Sequence, residues 1–248
     1  MPHATLPELE RWVLHRTLAL EERCLAAYEA FEYHVIYHAL NNFCSVDLSA
    51  LFLDVRKDRL YCERADSPSR RAAQTVLWEA FDVLCRMLAP ILAFTAEEAY
   101  RSGPHPNKDK HPSVHLLLWP KAEGLRAVEE RISKDFLEIL KIRDKANSAL
   151  EALKAAGTLK APLEGWLRLG GLDPAVKKAM EAMASELPDL FGVSKVTFEG
   201  ADVSASPCPD EKCPRCWKRT SSRADSLCSR CEAVVLLSNP LPGGEDKR

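Results

Sequence analysis

Apolar residues recur at three- and four-residue intervals through most of the first hundred positions, the period of an amphipathic helix. Leu9, Val13, Leu20 and Cys24 share a face with Arg16, and Trp12 lies beside them. Phe31, Val35, Ala39 and Phe43 predict a second helix over 31–43. Asn41-Asn42 and Asp47 predict a break, with a fresh helix through LSALFLDVRKDRLY. ADSPSRR reads as a turn and a new start, after which Ala73, Leu77, Ala80, Leu84 and Leu88 mark a long helix that Pro90 kinks or ends. Thr95 with Glu98 forms a capping-box pattern for a short helix to Tyr100.

SGPHPNKDKHP is a loop by its proline and glycine content, SVHLLLWP a short extended piece, and Pro120 the approximate end of a helical bundle. Val128, Ile132, Phe136, Ile139, Leu140, Ala146, Leu150 and Leu153 predict one long helix capped by Gly157. LEGWLRLGG alternates as a strand does. DPAVKKAMEAMASEL opens with Asp-Pro and predicts a helix with Pro at its first position. SKVTFEG is a further short strand, and ADVSASP a linker. The expectation is a mainly α chain: a helical bundle over 1–120, a small α/β unit over 121–200, a cysteine-bearing finger over 208–235 and a flexible tail over 236–248.

Composition changes this picture little. The 248 residues are 46% hydrophobic and 28% charged, with only 10 glycines, which fits a helical globular protein. No apolar run approaches the roughly 18 residues of a membrane span, and the first residues lack a basic stretch followed by an apolar one. A cytoplasmic protein with no membrane partner is expected. Net charge is −2, but residues 211–231 hold six basic and two acidic residues. A mildly acidic body with a small basic tip is not a general nucleic-acid coat, although the tip could meet a phosphate backbone.

The nine cysteines fall into two kinds. Cys24, Cys44, Cys62 and Cys85 are scattered through helical residues and are expected to be buried small hydrophobes. Cys213, Cys216, Cys228 and Cys231 form two C-x-x-C pairs separated by eleven residues. That pattern predicts one structural Zn2+ in a closed, non-catalytic four-thiolate site. Cys208, five residues ahead of Cys213, is a spare that could compete as a ligand.

Other candidates are weaker. His34 and His38 have zinc-ligand spacing on a helix, but Val35 stands where H-E-x-x-H requires Glu, so two helix histidines with polar contacts are expected. The basic run VRKDRL at 55–60 is offset by Asp54, Asp58 and Glu63, so a solvated helix face is the default and an RNA-facing surface the alternative. No phosphate loop and no nucleophile–base set can be argued from spacing, so no catalytic residue is assigned.

Several longer stretches resemble a known family. ERWVLHR at 10–16, YHALNNFCSVDLSALFLDVRKDRLYC at 37–62 and DSPSRRAAQTVLWEAFDVLCRMLAPILAFTAEEAY at 66–100 are similar to the helical anticodon-binding domain of isoleucyl-tRNA synthetases. SVHLLLWP at 113–120 matches the segment that closes that domain. EKCPRCW and CSRC resemble the zinc-binding C-terminal end of the bacterial type. The resemblance covers most of 9–235 and is weakest over 121–200.

The resemblance implies a class I helical bundle that grips the anticodon stem-loop of isoleucine tRNA, followed by a junction unit and the zinc end. Neither the HIGH-like and KMSKS-like motifs of the catalytic domain nor the inserted editing domain occurs in this sequence. On this reading those domains of the parent chain are partners, the ATP-dependent joining of isoleucine to tRNA belongs to the intact enzyme, and this piece is inactive alone and a monomer. Trp217, directly after Cys216, matches the position the family places near the anticodon loop. Its indole would stack on a splayed base, with Arg215, Lys218 and Arg219 holding phosphates; the alternative is an indole packed on the knuckle's own body. The competing functional readings are a zinc-bearing DNA-binding or protein-interaction module, and the corresponding region of a valyl or leucyl enzyme.

Overall fold

The computed structural model describes residues 1–104, 111–119 and 130–238. The predicted start of the long helix at Val128, the bundle end at Pro120, residues 105–110 of the loop and residues 239–248 of the tail lie outside them. In chain order the elements are α1 (Glu8–Glu29), α2 (Tyr33–Asn42), a π-helical segment (Phe43–Leu53), α3 (Asp54–Cys62), α4 (Pro68–Leu88), α5 (Ala93–Ser102) and α6 (Glu130–Ala155). Then follow β1 (Gly165–Leu169), α7 (Pro174–Ala182), α8 (Leu187–Phe191), β2 (Lys195–Thr197), β3 (Val203–Pro207), β4 (Glu211–Lys212), β5 (Arg219–Ser221) and α9 (Ser229–Ser238). The architecture is mainly helical with a small α/β part. The chain forms two compact units that do not follow chain order: residues 1–54 with 71–133, and residues 55–70 with 134–248.

The first unit is helical. Leu20, Cys24 and Ala27 of α1 meet Ile36, Ala39 and Leu40 of α2, Phe43, and Ala80, Val83 and Met87 of α4 in one buried cluster. Burying side chains of the size of Ile36 or Met87 contributes about 1.5–3 kcal/mol each, against the entropy of ordering them. Phe31 does not join this face. It is 76% exposed and takes a left-handed φ of 58°, where Phe31 N–H bonds Tyr28 O and Glu32 N–H bonds Ala27 O to turn the chain between α1 and α2.

The predicted break after Asn42 is instead a continuous π-helical run. The polar groups that would cap a break are used elsewhere. Ser45 Oγ donates back to Asn41 O at 2.7 Å, and Asp47 accepts from Arg16 of α1. Phe43, Leu51 and Phe52 are buried along the run.

α5 starts at Ala93 with Leu92 as its cap and no side-chain cap bond, so the Thr95–Glu98 box does not form. Burial of Ala96 and Tyr100 against Cys85, Ala89 and Val114 sets the helix instead. Glu97 Oε2 accepts from Ser113 Oγ and Val114 N–H, both at 2.9 Å, which draws 114–116 into a 3-10 turn where an extended piece was expected.

The second unit is built on a three-stranded sheet of order β2-β1-β3. β1 runs parallel to β2 (Leu167 opposite Val196) and antiparallel to β3 (Leu167 opposite Ala205). Gly165, Leu167 and Leu169 face inward and are buried. Phe136, Ile139, Ala146 and Leu150 of α6 are buried as well, and Gly157 ends that helix with φ +72°. Asp173 Oδ1 accepts from Ala175 N–H and Val176 N–H, capping α7 with Pro174 at its first position. β3 occupies the segment expected to be a linker; its pairing is made by backbone groups, so VSASP carries no apolar alternation to announce it. Residues 236–238, expected in the tail, are the end of α9.

Candidate metal centre and nucleic-acid interface

The two cysteine pairs converge. Cys213 and Cys216 flank the turn between β4 and β5, Cys228 directly precedes α9, and Cys231 lies in the first turn of α9. Their sulfurs all lie within 4.8 Å of one another, and all four residues are buried. Cys216 Sγ and Cys228 Sγ are 3.8 Å apart. Sulfurs held about 2.3 Å from a central cation in a tetrahedron are separated by about 3.8 Å. The spacing therefore suits a four-thiolate metal site, and these four residues could hold a metal ion.

The thiols differ in how readily they ionise: Cys213 is lowered, while Cys216 and Cys231 are raised by burial. Burial opposes ionisation of Cys213, but N–H groups of Cys216, Cys228 and Arg215 outweigh it and bring the thiol down to about 6. The Cys228 N–H lies 3.3 Å from Cys213 Sγ. Burial pushes Cys216 up to about 12, and the nearby Cys231 and Cys228 sulfurs add to the rise. Four thiolates this close repel one another, so a cation is what would let all of them ionise together. Among the described residues Cys208 is not part of the cluster; it is buried and its thiol donates to Arg219 O at 3.5 Å. His34 and His38 are exposed on α2 and belong to no such group. Of the four scattered cysteines, Cys24 and Cys85 are buried as expected. Cys44 is exposed, and Cys62 is half-buried against the four-cysteine cluster.

The knuckle is seated on α3 and α8 by ion pairs within the second unit. Arg230 grips Asp58 with both terminal nitrogens, Nη2 lying 2.7 Å from Oδ1, and its Nη1 reaches Glu63 Oε1 at 3.1 Å. The Lys218 ammonium pairs with Asp189 and lies 3.5 Å from Asp58. Arg215 Nη1 donates to Cys62 O at 2.8 Å and to Cys231 Sγ at 3.5 Å. Arg59 pairs with Asp189 at 2.8 Å and Arg56 with Glu186 at 2.6 Å. Burial disfavours the Asp58 carboxylate, but the Arg230 hydrogen bonds and the charges of Lys218, Arg230 and Arg59 win and hold its pKa below the usual value.

VRKDRL is thus no solvated face: Arg56 is 2% exposed and Arg59 and Asp58 are paired inside the unit. The partners Glu186, Asp189, Lys218 and Arg230 lie more than a hundred residues away in sequence, so no local pattern could disclose them.

The Trp after the second cysteine is turned outward. Trp217 takes φ +64°, its N–H bonds Cys213 O at 2.9 Å, and Cys213 N–H bonds Lys218 O at 2.9 Å, which closes the turn. Trp217 is 63% exposed, with Lys212 Nζ 5.9 Å from its ring centroid. The three cations named beside it separate: Arg215 and Lys218 carry the internal bonds given above, while Arg219 donates to Asp210 O at 3.3 Å and lies 3.9 Å from Glu164. Lys212, which spacing did not single out, is the cation nearest the open indole.

Residues 10–169 match the family described as the anticodon-binding domain of tRNA ligase. The chain belongs to that family. Over nearly its whole length it is also similar to isoleucine–tRNA ligases. The ligase of Carboxydothermus hydrogenoformans is 37% identical over 259 residues, covering 97% of this chain and 28% of that protein. Those of Symbiobacterium thermophilum and Geobacter sulfurreducens are 35% and 34% identical, covering 94% and 95% of this chain and 27% of each relative. This family member therefore spans little more than a quarter of the length of the curated relatives it matches. The family match ends in β1, whereas the similarity to the isoleucine ligases takes in nearly the entire chain. Among the described residues no helix is long and apolar enough to cross a membrane.

Proposed function

We propose that this chain is the tRNA-binding C-terminal part of an isoleucine–tRNA ligase, a cytoplasmic enzyme that joins isoleucine to tRNA with ATP. Residues 1–120 are read as the bundle that grips the anticodon stem-loop of isoleucine tRNA, 121–200 as a junction and 208–235 as a zinc finger that meets the loop. Cys213, Cys216, Cys228 and Cys231 would hold one structural Zn2+, whose role is to fold a segment too small to have its own core. The chain's own residues do the rest. The turn at Cys216–Lys218 fixes the backbone of Trp217, and the hydrogen bond from Arg215 to Cys62 O and the ion pairs of Lys218 and Arg230 fix the knuckle to α3 and α8.

The observation that carries this reading is the outward Trp217, an aromatic face held on a rigid turn with Lys212 beside it. A large indole exposed at the tip of a small metal knuckle adds nothing to its core, and it suits a base splayed out of an RNA loop. Arg219 and Lys212 are the phosphate contacts that this geometry favours, with Arg215 and Lys218 contributing through the knuckle's position. The test is binding of isoleucine tRNA by Trp217→Ala. Loss of one stacked base should weaken binding by about 1–3 kcal/mol, roughly 5- to 150-fold, with the metal retained. Parent-like binding with the metal in place would end the stacking role, and loss of the metal would make the indole part of the knuckle's own structure.

A further inference from the structure

The cysteine sulfurs differ in what donates to them. Cys213 Sγ takes the Cys228 N–H at 3.3 Å and further backbone N–H groups from Cys216 and Arg215, and Cys216 takes the backbone N–H of Lys218. These donors belong to the backbone around the cysteines themselves. Cys231, in the first turn of α9, is served by a side chain: Arg215 Nη1 donates to its Sγ at 3.5 Å. The same nitrogen donates to Cys62 O at 2.8 Å. A guanidinium Nη carries two hydrogens, so both bonds can form at once.

The placement of this one group is unusual in two ways. Arg215 stands between Cys213 and Cys216 in the chain, yet its side chain reaches a sulfur of the other pair. Cys62 is the last residue of α3, and the last carbonyls of a helix have no partner within it. The guanidinium therefore links the two cysteine pairs to each other and both to the end of α3. Its charge matters as well. Four thiolates around a dication leave two negative charges uncompensated, and all four cysteines are buried. A buried charge is costly unless it is paired and hydrogen-bonded. Lys218 and Arg230 direct their charge to Asp189, Asp58 and Glu63. Among the described residues no carboxylate pairs with Arg215; its bonds go to the Cys231 sulfur and the Cys62 carbonyl.

We infer that Arg215 is a positioning residue of the metal centre: its guanidinium donates to the Cys231 thiolate, offsets part of the site's negative charge and ties that ligand to the end of α3. The inference rests on the reading of the four cysteines as a zinc site. It gives Arg215 an inward task, where adjacency to Trp217 suggested an RNA phosphate. Partners that hydrogen-bond a ligand orient it and tune the metal, and their loss commonly lowers metal affinity by about 10- to 100-fold.

The test compares the full chain with Arg215→Met, which keeps a long apolar stem but removes donor and charge, and with Arg215→Lys, which keeps the charge. Circular dichroism verifies the fold. Zinc affinity is measured by competition with a chelator at one fixed pH, and each protein is also loaded with Co2+ for absorption spectra. Arg215→Met should lose about 10- to 100-fold in zinc affinity. Its sulfur-to-cobalt charge-transfer band should move to lower energy, because a thiolate that loses a hydrogen bond gives up electron density more readily, while the visible bands of tetrahedral Co2+ persist. Arg215→Lys should fall between Arg215→Met and the parent. If the parent binds no metal, the zinc reading fails and this inference with it. If the parent binds and Arg215→Met matches it in affinity and spectrum, Arg215 has no part in the centre. A fall in affinity with an unmoved charge-transfer band would place its effect at the Cys62 carbonyl alone and overturn the sulfur contact. Arg215→Lys binding no better than Arg215→Met would show that the charge counts for nothing. Should Arg215→Met not fold, Arg215→Lys decides: parent-like affinity and spectrum would overturn the inference, since the shorter ammonium cannot keep both bonds.

Discussion

Removing the Arg230 side chain should loosen α3 from the knuckle. Arg230 makes a two-pronged bond to Asp58, one prong at 2.7 Å, and a third bond to Glu63 at 3.1 Å; the side chains of Asp58 and Glu63 are 13% and 14% exposed. Hydrogen bonds to charged groups contribute about 1.5–3 kcal/mol when sheltered. The Arg230 side chain is about a third exposed, and solvent screening lowers that figure. Lys218, 3.5 Å from Asp58, keeps the carboxylate from being left alone. Arg230→Ala should therefore destabilise the second unit by about 1–2 kcal/mol, a fall in melting temperature of roughly 2–8 °C for a domain of this size. Arg230→Lys should recover only part of it, since an ammonium cannot make the two-pronged bond. The assay is thermal unfolding together with amide hydrogen exchange, with metal content checked because Cys231 is adjacent. Amides of α3 should exchange faster in the variant, while those of α1 and α2 keep the parent rate. A variant that melts with the parent and shows unchanged exchange in α3 would refute the claim that these ion pairs seat the knuckle.

Three further outcomes follow from the same geometry. Elemental analysis of the purified chain should find about one zinc per chain, and Cys213→Ser with Cys216→Ser should abolish it; zinc persisting in the double variant would overturn the ligand assignment. Because the Asp58 pKa is held below its ordinary 3.8, its ion pairs stabilise the unit fully above that value and are lost as pH falls through the folded value. Acid unfolding of the second unit should accordingly be less steep in Asp58→Asn than in the parent, and an unchanged acid limb would count against the pairing. On the proposed reading, in which adenylate formation belongs to other domains of the ligase, a clean preparation should show no isoleucine-dependent ATP–pyrophosphate exchange; measurable exchange would overturn that reading.

Most of the helices were legible because each buries a stripe that repeats with the helical period, as Leu9, Val13 and Leu20 do. The four-cysteine cluster was legible because two C-x-x-C pairs each bring two sulfurs together within one turn, and the structure brings the pairs to within 4.8 Å of one another. What escaped had long-range causes. Phe31 reads as the first apolar position of α2, yet it turns the chain. Asn42 and Asp47 look like a break until Arg16, on another helix, takes the carboxylate. β3 pairs with β1 through backbone bonds and one side-chain bond from Arg168 to Ser206, neither of which leaves an apolar alternation in the sequence. VRKDRL reads as surface because its partners in α8 and the knuckle are distant in sequence. The placement of Arg215, Lys218 and Lys212 around Trp217 was hidden for a different reason: adjacent residues in a tight turn point in different directions, and composition alone cannot tell which ones turn inward.

The central claim, that this family member binds the anticodon arm of isoleucine tRNA, is tested most directly by comparing its affinity for isoleucine tRNA, valine tRNA and duplex DNA at one fixed salt concentration. The account predicts tightest binding to isoleucine tRNA, displaced by the isolated anticodon stem-loop of that tRNA. Equal affinity for all three, or binding that the stem-loop does not displace, would contradict it.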